Sequence, residues 1–573
     1  MARTTKPKGS DKEKGTKPKA TDKAKRIYKT TSTKTVNEDA RGGLRAVSAS
    51  KPGRKLTSST EKEGEEIFFG LAGAIGADVD KLEEALDTAL HPFKYQTHPL
   101  RLSSLLAEDE VTPIHGITIT SKPTLAIRYH ELMTAGNKLR EKLGIAAALP
   151  LFGMLRLREF RQSVGGSHRG PVHNTAYVFR SLKLEEEVKE LRSTYRDGFF
   201  LIGAYSPREK RKSLLKRHIT KGKPDDKEAE VEAEKLISRD EEDDAQQYGD
   251  WGQKLRDTFP LSDFFVDVTK KDYAQQVERF ISLLFGDTLR TPTQDENGMF
   301  HAFAASLRSS ALGRQVGAAI TTELPDGDVV AVGCNDVPKP LGGLYWETDK
   351  NDMRDLHWTY DSNDYTKAHV IRDILKRLQL AKEGKKPRFF REDITKLDEE
   401  TLLAEVLPVL KGAQVMNLIE FGRPVHAEMD ALISAARRGV SVKGCRLYST
   451  TFPCHECTRH IIAAGITHVI FIEPYPKSLA THLFEHEIEV DPEDETAVRD
   501  KVIFKPFVGV SPRVYAHLFN MGDTKRKVSG KVLELDKETA MPRYAEPYYS
   551  YITRESSAVA RIEKAVEAEA KNR

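Results

Sequence analysis

Cysteine is scarce in this chain, since only four of the 573 residues are cysteine. So few cysteines agree with a reducing compartment. Long apolar runs are also missing: no segment approaches about 18 consecutive apolar residues, the length of a membrane-spanning helix, and the N-terminus lacks the apolar core of a signal peptide. These absences argue against a secreted or membrane-spanning protein. They predict a soluble, cytoplasmic protein that makes no use of a membrane.

Large apolar side chains are almost absent from the first 60 residues, which carry 17 Lys or Arg against 5 Asp or Glu. Such a segment cannot bury enough surface to offset the entropy lost on ordering, so residues 1–62 are predicted to be a disordered basic tail. Its net charge of +12, against +4 for the whole chain, suits contact with nucleic acid or another polyanion. A leader that only improves solubility is the alternative.

Two short segments in the second half of the chain combine metal-binding residue types. One contains His426 and Glu428, and the other contains Cys454 and Cys457 behind a proline. A catalytic zinc site holds three protein ligands and leaves one position to water, and one histidine with two cysteines satisfies that count. We therefore predict one Zn²⁺ per chain on His426, Cys454 and Cys457, with Glu428 as general acid and base. The pattern H-x-E…P-C-x-x-C is typical of the zinc deaminases, which remove the amine of a nucleobase.

A redox pair or a structural zinc site is the alternative interpretation of the Cys-x-x-Cys segment. A structural site needs a fourth ligand, for which Cys445, His455 and His460 are the nearest candidates. The order of both half-motifs favours the catalytic interpretation. The remaining cysteine, Cys334, and also Cys445 flank predicted strands and are expected to be core residues.

The elements predicted around these motifs form a mixed sheet flanked by helices. A helix from His426 to Arg438 is predicted to carry its apolar face on Met429, Leu432, Ile433 and Ala436. The other predicted elements are a hairpin of strands 316–322 and 328–333, a strand 446–450, a helix from the Cys segment to Ala464 and a strand 468–472. This order places all three ligands at helix N-termini. It resembles the cytidine deaminase fold.

The first folded half, residues 63–290, is predicted to be a parallel α/β sheet, because strands and helices alternate. It opens with a short strand 67–69, a glycine-rich turn and a helix, the context of a phosphate-binding loop. The candidate loop residues are Gly70, Gly73, Gly76 and Asp78. The segment resembles the start of a P-loop nucleotide kinase, but no lysine follows the glycines, so we predict a degenerate loop.

A run of basic residues from Arg208 to Lys212 follows a predicted strand that ends at Tyr205. In nucleotide kinases, which this half resembles, an arginine-rich lid at this place clamps phosphates. The alternative is a solvated basic helix beside the acidic run Asp240–Asp244.

The segments before the zinc motifs are similar to those of deoxycytidylate deaminases. That resemblance implies that Arg314 and Asn335 contact the phosphate and sugar of a nucleotide, with Ser306 as a weaker candidate. Lys477 is a further candidate phosphate ligand. The insertion at about residues 338–420 is expected to be a lid or an oligomer surface.

The whole arrangement resembles the bacterial anti-phage dCTP/dCMP deaminase family: a tail (1–62), a kinase-like domain (63–290), a deaminase domain (291–525) and an extension (526–573) that ends in an exposed charged helix, Ser557–Arg573. The resemblance implies deamination of free dCTP or dCMP, control by a regulatory RNA or nucleotide at the N-terminal half, and a homo-oligomer. A polynucleotide cytidine or adenosine deaminase that uses the basic tail, and a bifunctional kinase–deaminase, are the alternatives.

Overall fold

The structure is a computed structural model that describes residues 64–572 apart from 121–123, 165–169, 221–226, 242, 244–248, 381–397, 411–412, 473–477, 499 and 523. The predicted basic tail and Lys477 therefore lie outside the described residues. Residues Lys62–Arg573 form one compact unit. This unit contains two six-stranded sheets, and a short two-stranded ribbon lies near its C-terminus.

The first sheet is built from five parallel strands of the N-terminal half. These strands are β1 (Ile67–Gly73), β2 (Gln96–Arg101), β3 (Thr175–Arg180), β4 (Phe199–Tyr205) and β5 (Phe264–Asp267). Their order in the sheet is β2-β3-β1-β4-β5, so β1 is central. Every residue of β1 and β4 is buried, as expected for strands whose two faces are both covered by helices. The predicted parallel α/β sheet is confirmed.

Helices cover this sheet and connect its strands. They are α1 (Val79–Leu90), α2 (Leu102–Leu105), α3 (Thr112–His115), α4 (Leu125–Leu143), α5 (Ala148–Ser163), α6 (Glu185–Tyr195), α7 (Arg208–Ile219), α8 (Lys227–Glu241), α9 (Leu255–Thr258) and α10 (Tyr273–Leu284). Strand β1 is longer than predicted, because it continues through Gly73 instead of ending at Phe69. Gly70 and Gly73 thus lie inside a buried strand, where a Cβ on Gly70 would lie 2.7 Å from Leu182.

The second sheet is mixed and belongs to the C-terminal half. Its strands are β6 (Gly317–Thr321), β7 (Val329–Cys334), β8 (Arg446–Ser449), β9 (His468–Phe471), β10 (Ile488–Val490) and β11 (Val502–Pro506). The order is β10-β11-β9-β8-β6-β7, with β6 antiparallel to both of its neighbours and the others parallel. The predicted hairpin and the strands at 446 and 468 are confirmed.

The helices of this half lie against the mixed sheet or within the insertion. They are α11 (Gln294–Ser306), α12 (Asp355–Trp358), α13 (Ser362–Leu380), α14 (Glu399–Val409), α15 (Ala427–Arg437), α16 (His455–Ala464) and α17 (Ala480–Leu483). Thr293 and Glu296 form a capping box that starts α11. The mixed α/β architecture agrees with the prediction.

The C-terminal residues return to the first sheet. The elements after β11 are β12 (Gly509–Val510), α18 (Pro512–Phe519), the ribbon β13 (Lys527–Val528) and β14 (Lys531–Val532), and α19 (Tyr548–Asn572). Strand β12 pairs antiparallel with β5 and so extends the N-terminal sheet. Because β11 and β12 are separated by two residues, this short connection links the two sheets covalently.

The terminal helix α19 is only partly the exposed helix that we predicted from Ser557 onward, because Ala558, Val559 and Ile562 are buried, whereas most of its residues after Ile562 are exposed. Its residues Tyr551, Val559 and Ile562 are buried in the same core as the N-terminal sheet. A buried ionic cluster also holds it: Arg161 contacts Glu66 at 2.6 Å and Glu555 at 2.7 Å, and all three side chains are completely buried. Among the described residues, no helix combines the length and the apolar character needed to cross a membrane.

Candidate metal centre and active site

The first part of the site is the start of α15. His426 is the N-cap of this helix and has extended backbone angles, and the helix begins at Ala427. The preceding Val425 donates its backbone N–H to the carbonyl of Asp336 at 2.9 Å, so the segment is fixed beside the end of β7. The predicted helix is confirmed to within one residue at each end.

Helix α15 packs against the mixed sheet through small residues and not through the whole apolar face that the sequence predicted. The residues that face the sheet are Ala427, Ala431 and Ala435, all fully buried, whereas Ile433 is 51% exposed. The predicted apolar face is therefore wrong in part. A glycine on β7 allows the close approach, because a Cβ built on Gly333 would lie 2.4 Å from both the Ala427 carbonyl and the Ala431 nitrogen. Small residues on both elements bring the helix backbone against the strand.

The second part of the site is the start of α16. Cys454 is the N-cap of this helix, and Cys457 lies in its first turn, where its backbone N–H donates to the Cys454 sulfur at 3.4 Å. The N-termini of α15 and α16 therefore lie next to each other. Their partial positive ends favour thiolate and other anionic groups there.

The insertion holds the segment that leads to His426. Arg423 donates to the Asp355 carboxylate at 2.7 Å, and its guanidinium stacks on Trp358 with 3.7 Å between the guanidinium carbon and the ring centroid. The Arg423 N–H also donates to the hydroxyl of Ser362 at 3.0 Å. Helices α12 and α13 therefore brace the metal-ligand segment. Whether the insertion is also a lid or an oligomer surface stays a prediction.

The three predicted ligands meet in one cluster. The Nδ1 atom of His426 lies 3.3 Å from the sulfur of Cys454 and 3.3 Å from the sulfur of Cys457. All three ligand atoms lie within 4.8 Å of one another. Tetrahedral zinc with ordinary Zn–N and Zn–S bonds would separate its ligand atoms by about 3.5–3.8 Å. The cluster fits zinc after shifts of a few tenths of an ångström.

The thiols of this cluster have strongly perturbed pKa values. The pKa of the Cys454 thiol is lowered to about 4, chiefly by a hydrogen bond from Cys457 and further by His426, while burial opposes the shift. The pKa of Cys457 is raised, first by its interaction with Cys454 and then by burial. A pair of cysteines that shares one thiolate in this way is a ready ligand set for a thiophilic metal.

Glu428 lies beside the ligands with its side chain turned inward. It is 3% exposed, and its Oε2 accepts a hydrogen bond from Cys457 at 3.3 Å. Burial raises the pKa of its carboxyl group, and the nearby Cys454 raises it further. A buried carboxyl group directly beside the His–Cys–Cys cluster has the position that a proton-transferring group needs.

Ser449 is a site residue that the sequence analysis missed. It ends β8, is completely buried, and donates its hydroxyl to Oε1 of Glu428 at 3.1 Å. This contact fixes the orientation of the Glu428 carboxyl group. The sequence pattern that could have pointed to Ser449 is a hydroxyl-bearing residue at the end of the predicted strand that leads into the Cys segment.

The predicted nucleotide contacts are placed as follows. Asn335 accepts from the Val316 N–H at 2.7 Å and donates to the Arg314 carbonyl at 2.7 Å, so it joins the ends of the hairpin strands. Ser306 is 4% exposed and donates to the Phe303 carbonyl. Arg314 is exposed. Their contacts with substrate stay predictions, as does that of Lys477, which is outside the described residues.

The glycine-rich segment of the N-terminal half is a true strand–turn–helix. The turn is shorter than predicted and spans Ala74–Asp78, with Gly76 in the left-handed region (φ +84°). Asp78 caps α1 by accepting from the Lys81 N–H at 3.2 Å. Nucleotide binding by this loop stays a prediction.

The basic run that follows β4 pairs with acidic residues of α8. Arg208 and Arg211 both contact Glu241, at 2.7 and 2.8 Å, and Lys212 and Lys216 both contact Glu230. These contacts favour the alternative of a basic helix beside an acidic segment over a phosphate clamp.

Comparison with known proteins finds similarity in the second half of the chain. The family described as cytidine and deoxycytidylate deaminase zinc-binding region matches residues 292–473. Deoxycytidylate deaminase from Enterobacteria phage T2 is 39% identical over 54 residues, which are 9% of this chain and 29% of that protein. Deoxycytidylate deaminase from Mus musculus is 47% identical over 68 residues, 12% of this chain and 37% of that protein. The chain thus covers little more than a third of these relatives at most.

A solved structure of dCMP deaminase from the cyanophage S-TIM5, in complex with dCMP and dUMP, covers 38% of this chain and 99% of its own, with 16% identity and a TM-score of 0.20. The matched family region contains His426, Cys454 and Cys457, which the fold brings together as one potential metal site. The C-terminal half of this chain therefore contains a cytidine and deoxycytidylate deaminase-like zinc domain.

Proposed function

We propose that this protein hydrolytically deaminates deoxycytidine nucleotides, converting the cytosine amine to a carbonyl with release of ammonia. The observation that carries the proposal is the cluster of His426, Cys454 and Cys457 with the buried Glu428 carboxyl group directly beside it. The deoxycytidylate deaminase relatives support dCMP-type nucleotides as the substrate class.

Each residue of the cluster has a distinct role in this proposal. His426, Cys454 and Cys457 would hold zinc, which when bound supplies the Lewis acidity that makes water nucleophilic at neutral pH. Glu428 accepts the proton of the attacking water and delivers it to N3 of the cytosine ring as the water oxygen adds to C4. Glu428 then moves the proton of the new C4 hydroxyl to the amine, so that the C4–N bond breaks, ammonia leaves and the C4 carbonyl forms.

Burial around Glu428 serves this chemistry. Ser449 holds one carboxylate oxygen, so the other remains directed toward the ligand cluster. Because Glu428 and Ser449 are both shielded from bulk water, the proton stays on a defined path between water, carboxylate and ring.

We further propose that dCTP as well as dCMP is a substrate and that the reaction depletes dCTP during phage infection. This part rests on the resemblance to the anti-phage deaminase family. The homo-oligomeric state, the cytoplasmic location and control by RNA or nucleotide through the N-terminal half belong to the same proposal.

The test uses the zinc-loaded, RNase-treated full-length protein with dCMP, dCTP, CTP and a cytosine-containing single-stranded oligonucleotide. We expect deoxyuridine nucleotide from dCMP or dCTP and an unchanged oligonucleotide, as followed by chromatography. Deamination of the oligonucleotide alone would indicate that the protein edits nucleic acid instead. If none of the four substrates is deaminated, the proposal is refuted.

The matched variant is Glu428→Gln, which keeps the size of the side chain and its contact with Ser449. We expect it to retain zinc and to lose at least about 100-fold in kcat, the usual contribution of a general acid–base group. Glu489→Gln is the control, because this carboxylate lies on the edge strand β10 and pairs with Lys501 at 2.8 Å. More than about a tenth of the wild-type activity in Glu428→Gln would contradict the assigned role.

A further inference from the structure

The two-stranded ribbon of the C-terminal extension stands apart from both large sheets. Among the described strands, β13 and β14 pair only with each other. Their connection is Ser529-Gly530, and both residues have positive φ angles, +50° and +82°, as a tight two-residue hairpin turn requires. Residues 524–534 are all exposed, so the hairpin projects into solvent.

The base of the ribbon is fixed to the N-terminal half. The Leu533 N–H donates to the Arg526 carbonyl at 2.9 Å, which adds a further backbone hydrogen bond to the ribbon. The Nε atom of Arg526 donates to the Thr288 carbonyl at 2.8 Å, and Leu535 packs against the core of the N-terminal sheet. An isolated hairpin is only marginally stable in water, so this anchored base holds the backbone of the projecting part in place for a partner.

The projecting part, residues 525–532, is strongly basic, and we call it the ribbon tip. It contains three lysines and one arginine and no acidic residue. Lys525, Lys527 and Lys531 are exposed, and none of them forms an ion pair in the part of the chain that the structure describes. Because like charges this close together repel each other, an anionic partner is favoured at the ribbon tip.

Both faces of the ribbon carry a cation. In the antiparallel pairing, Lys527 lies opposite Val532 and Val528 lies opposite Lys531. Directly opposite residues point to the same face and successive residues to opposite faces, so each face carries one lysine and one valine. The valines are 53% and 68% exposed. Neither face of residues 527–532 is purely apolar, whereas an element that lies in a membrane surface separates its apolar and charged sides.

These features fit the major groove of duplex DNA. This groove is about 12 Å wide and admits a two-stranded β-ribbon, whereas the major groove of A-form RNA is deep and narrow. A ribbon that enters the groove with its turn first has a phosphate backbone on each side. One lysine on each face can then neutralise phosphates of each strand, and the valines can contact thymine methyl groups.

We propose that the ribbon tip binds duplex DNA in the major groove. Lys527 contacts phosphates of one strand, Lys531 contacts phosphates of the other, and Lys525 adds a phosphate contact near the base of the ribbon. The basic tail (1–62) suits any polyanion, whereas a folded ribbon selects the B-form duplex by its shape. The interaction does not depend on the proposed deamination, since the ribbon tip contributes nothing to the mixed sheet or to the metal cluster.

The test is fluorescence anisotropy of the full-length protein with a labelled duplex of about 20 base pairs, two helical turns, at several salt concentrations. The duplex contains only A and T, so it offers no cytosine to the proposed reaction. The variant is Lys527→Gln/Lys531→Gln. We expect its slope of log affinity against log salt to be shallower by about 1.8, since each lost phosphate contact removes about 0.9. Near 0.1 M salt it should bind at least about tenfold more weakly.

The matched control is Lys501→Gln/Lys537→Gln, which removes the same charge from two lysines that are already paired. Lys501 contacts Glu489 and Lys537 contacts Glu278, both at 2.8 Å. This control should bind the duplex like the wild type. The basic tail is intact in all three proteins, so its contribution to binding is the same in each. The ribbon variant should also match the wild type on single-stranded dA and on an RNA duplex of equal length.

Equal affinity and equal salt slope of the ribbon variant and the wild type on the DNA duplex overturn the proposal. So does an equal loss in the control, or an equal loss of the ribbon variant on the RNA duplex or the single strand. Loss of binding to anionic phospholipid vesicles with unchanged duplex binding would assign the ribbon tip to a membrane surface instead. Should the double variant fail to fold, Lys527→Gln and Lys531→Gln decide singly, each with an expected slope change of about 0.9.

Discussion

Replacing Gly333 with alanine tests whether the fit of α15 against β7 controls the metal centre. A Cβ at this position would lie 2.4 Å from the Ala427 carbonyl and from the Ala431 nitrogen, whereas ordinary contacts begin near 3.4 Å. Both atoms belong to the helix backbone, so no side chain can rotate away. The N-terminal part of α15 must therefore move by about 1 Å to accept the methyl group.

This movement would change both the affinity for zinc and the rate of the reaction. His426 caps α15 and Glu428 lies in its first turn, so both side chains move with the helix. A misplacement of about 1 Å typically costs about 100-fold in rate. The overpacking should also reduce the free energy of unfolding by about 1–3 kcal/mol.

The assay combines zinc content by elemental analysis, kcat/KM with dCMP and a thermal unfolding curve. Gly313→Ala is the control, because a Cβ on Gly313 meets nothing within 4 Å. We expect the control to match the wild type and Gly333→Ala to lose zinc, activity or both. Full zinc content together with a kcat/KM within about threefold of the wild type would show that the packing argument is wrong.

Three further variants test the ligand set, the orientation of Glu428 and the buried ionic cluster. Cys454→Ala should lose zinc, because two ligands rarely hold this metal against competition, and stoichiometric metal in the purified variant would refute the assignment. Ser449→Ala should lower kcat about tenfold or more with little change in KM, and Ser449→Thr should restore much of it; equal rates in both variants would exclude a positioning hydroxyl. Arg161→Met should reduce the free energy of unfolding by about 3–5 kcal/mol in urea titrations, since it leaves two buried carboxylates without their cationic partner. Arg156→Met, at a more exposed cluster, should cost at most about 1 kcal/mol, and equal losses in the two variants would contradict this ranking.

The metal centre was predictable because its geometry is local. His426 and Cys454 each cap a helix, and Glu428 and Cys457 follow within three positions of them. Helix geometry then sets where Glu428 and Cys457 point. Only the meeting of the two helices depends on the sheet, and the order of strands around the motifs was sufficient to predict it.

The packing of α15 was only partly predictable. Apolar periodicity favoured a face with Ile433, but the helix rests on three alanines because Gly333 removes the side chain that would keep it away. Periodicity measures how apolar a face is. It does not measure how closely the neighbouring backbone approaches.

The sequence by itself thus predicted the residues of the His–Cys–Cys cluster, the glutamate beside it and the class of both sheets, since each depends on neighbours within a few residues or on a regular alternation. The tertiary structure alone decided what lies far apart in the chain. It placed Ser449 on Glu428, Asp240 on the glycine-rich turn and Glu555 on Arg161. Such pairs form only when the packing of whole elements brings distant polar groups into a buried site, where each group must find a partner.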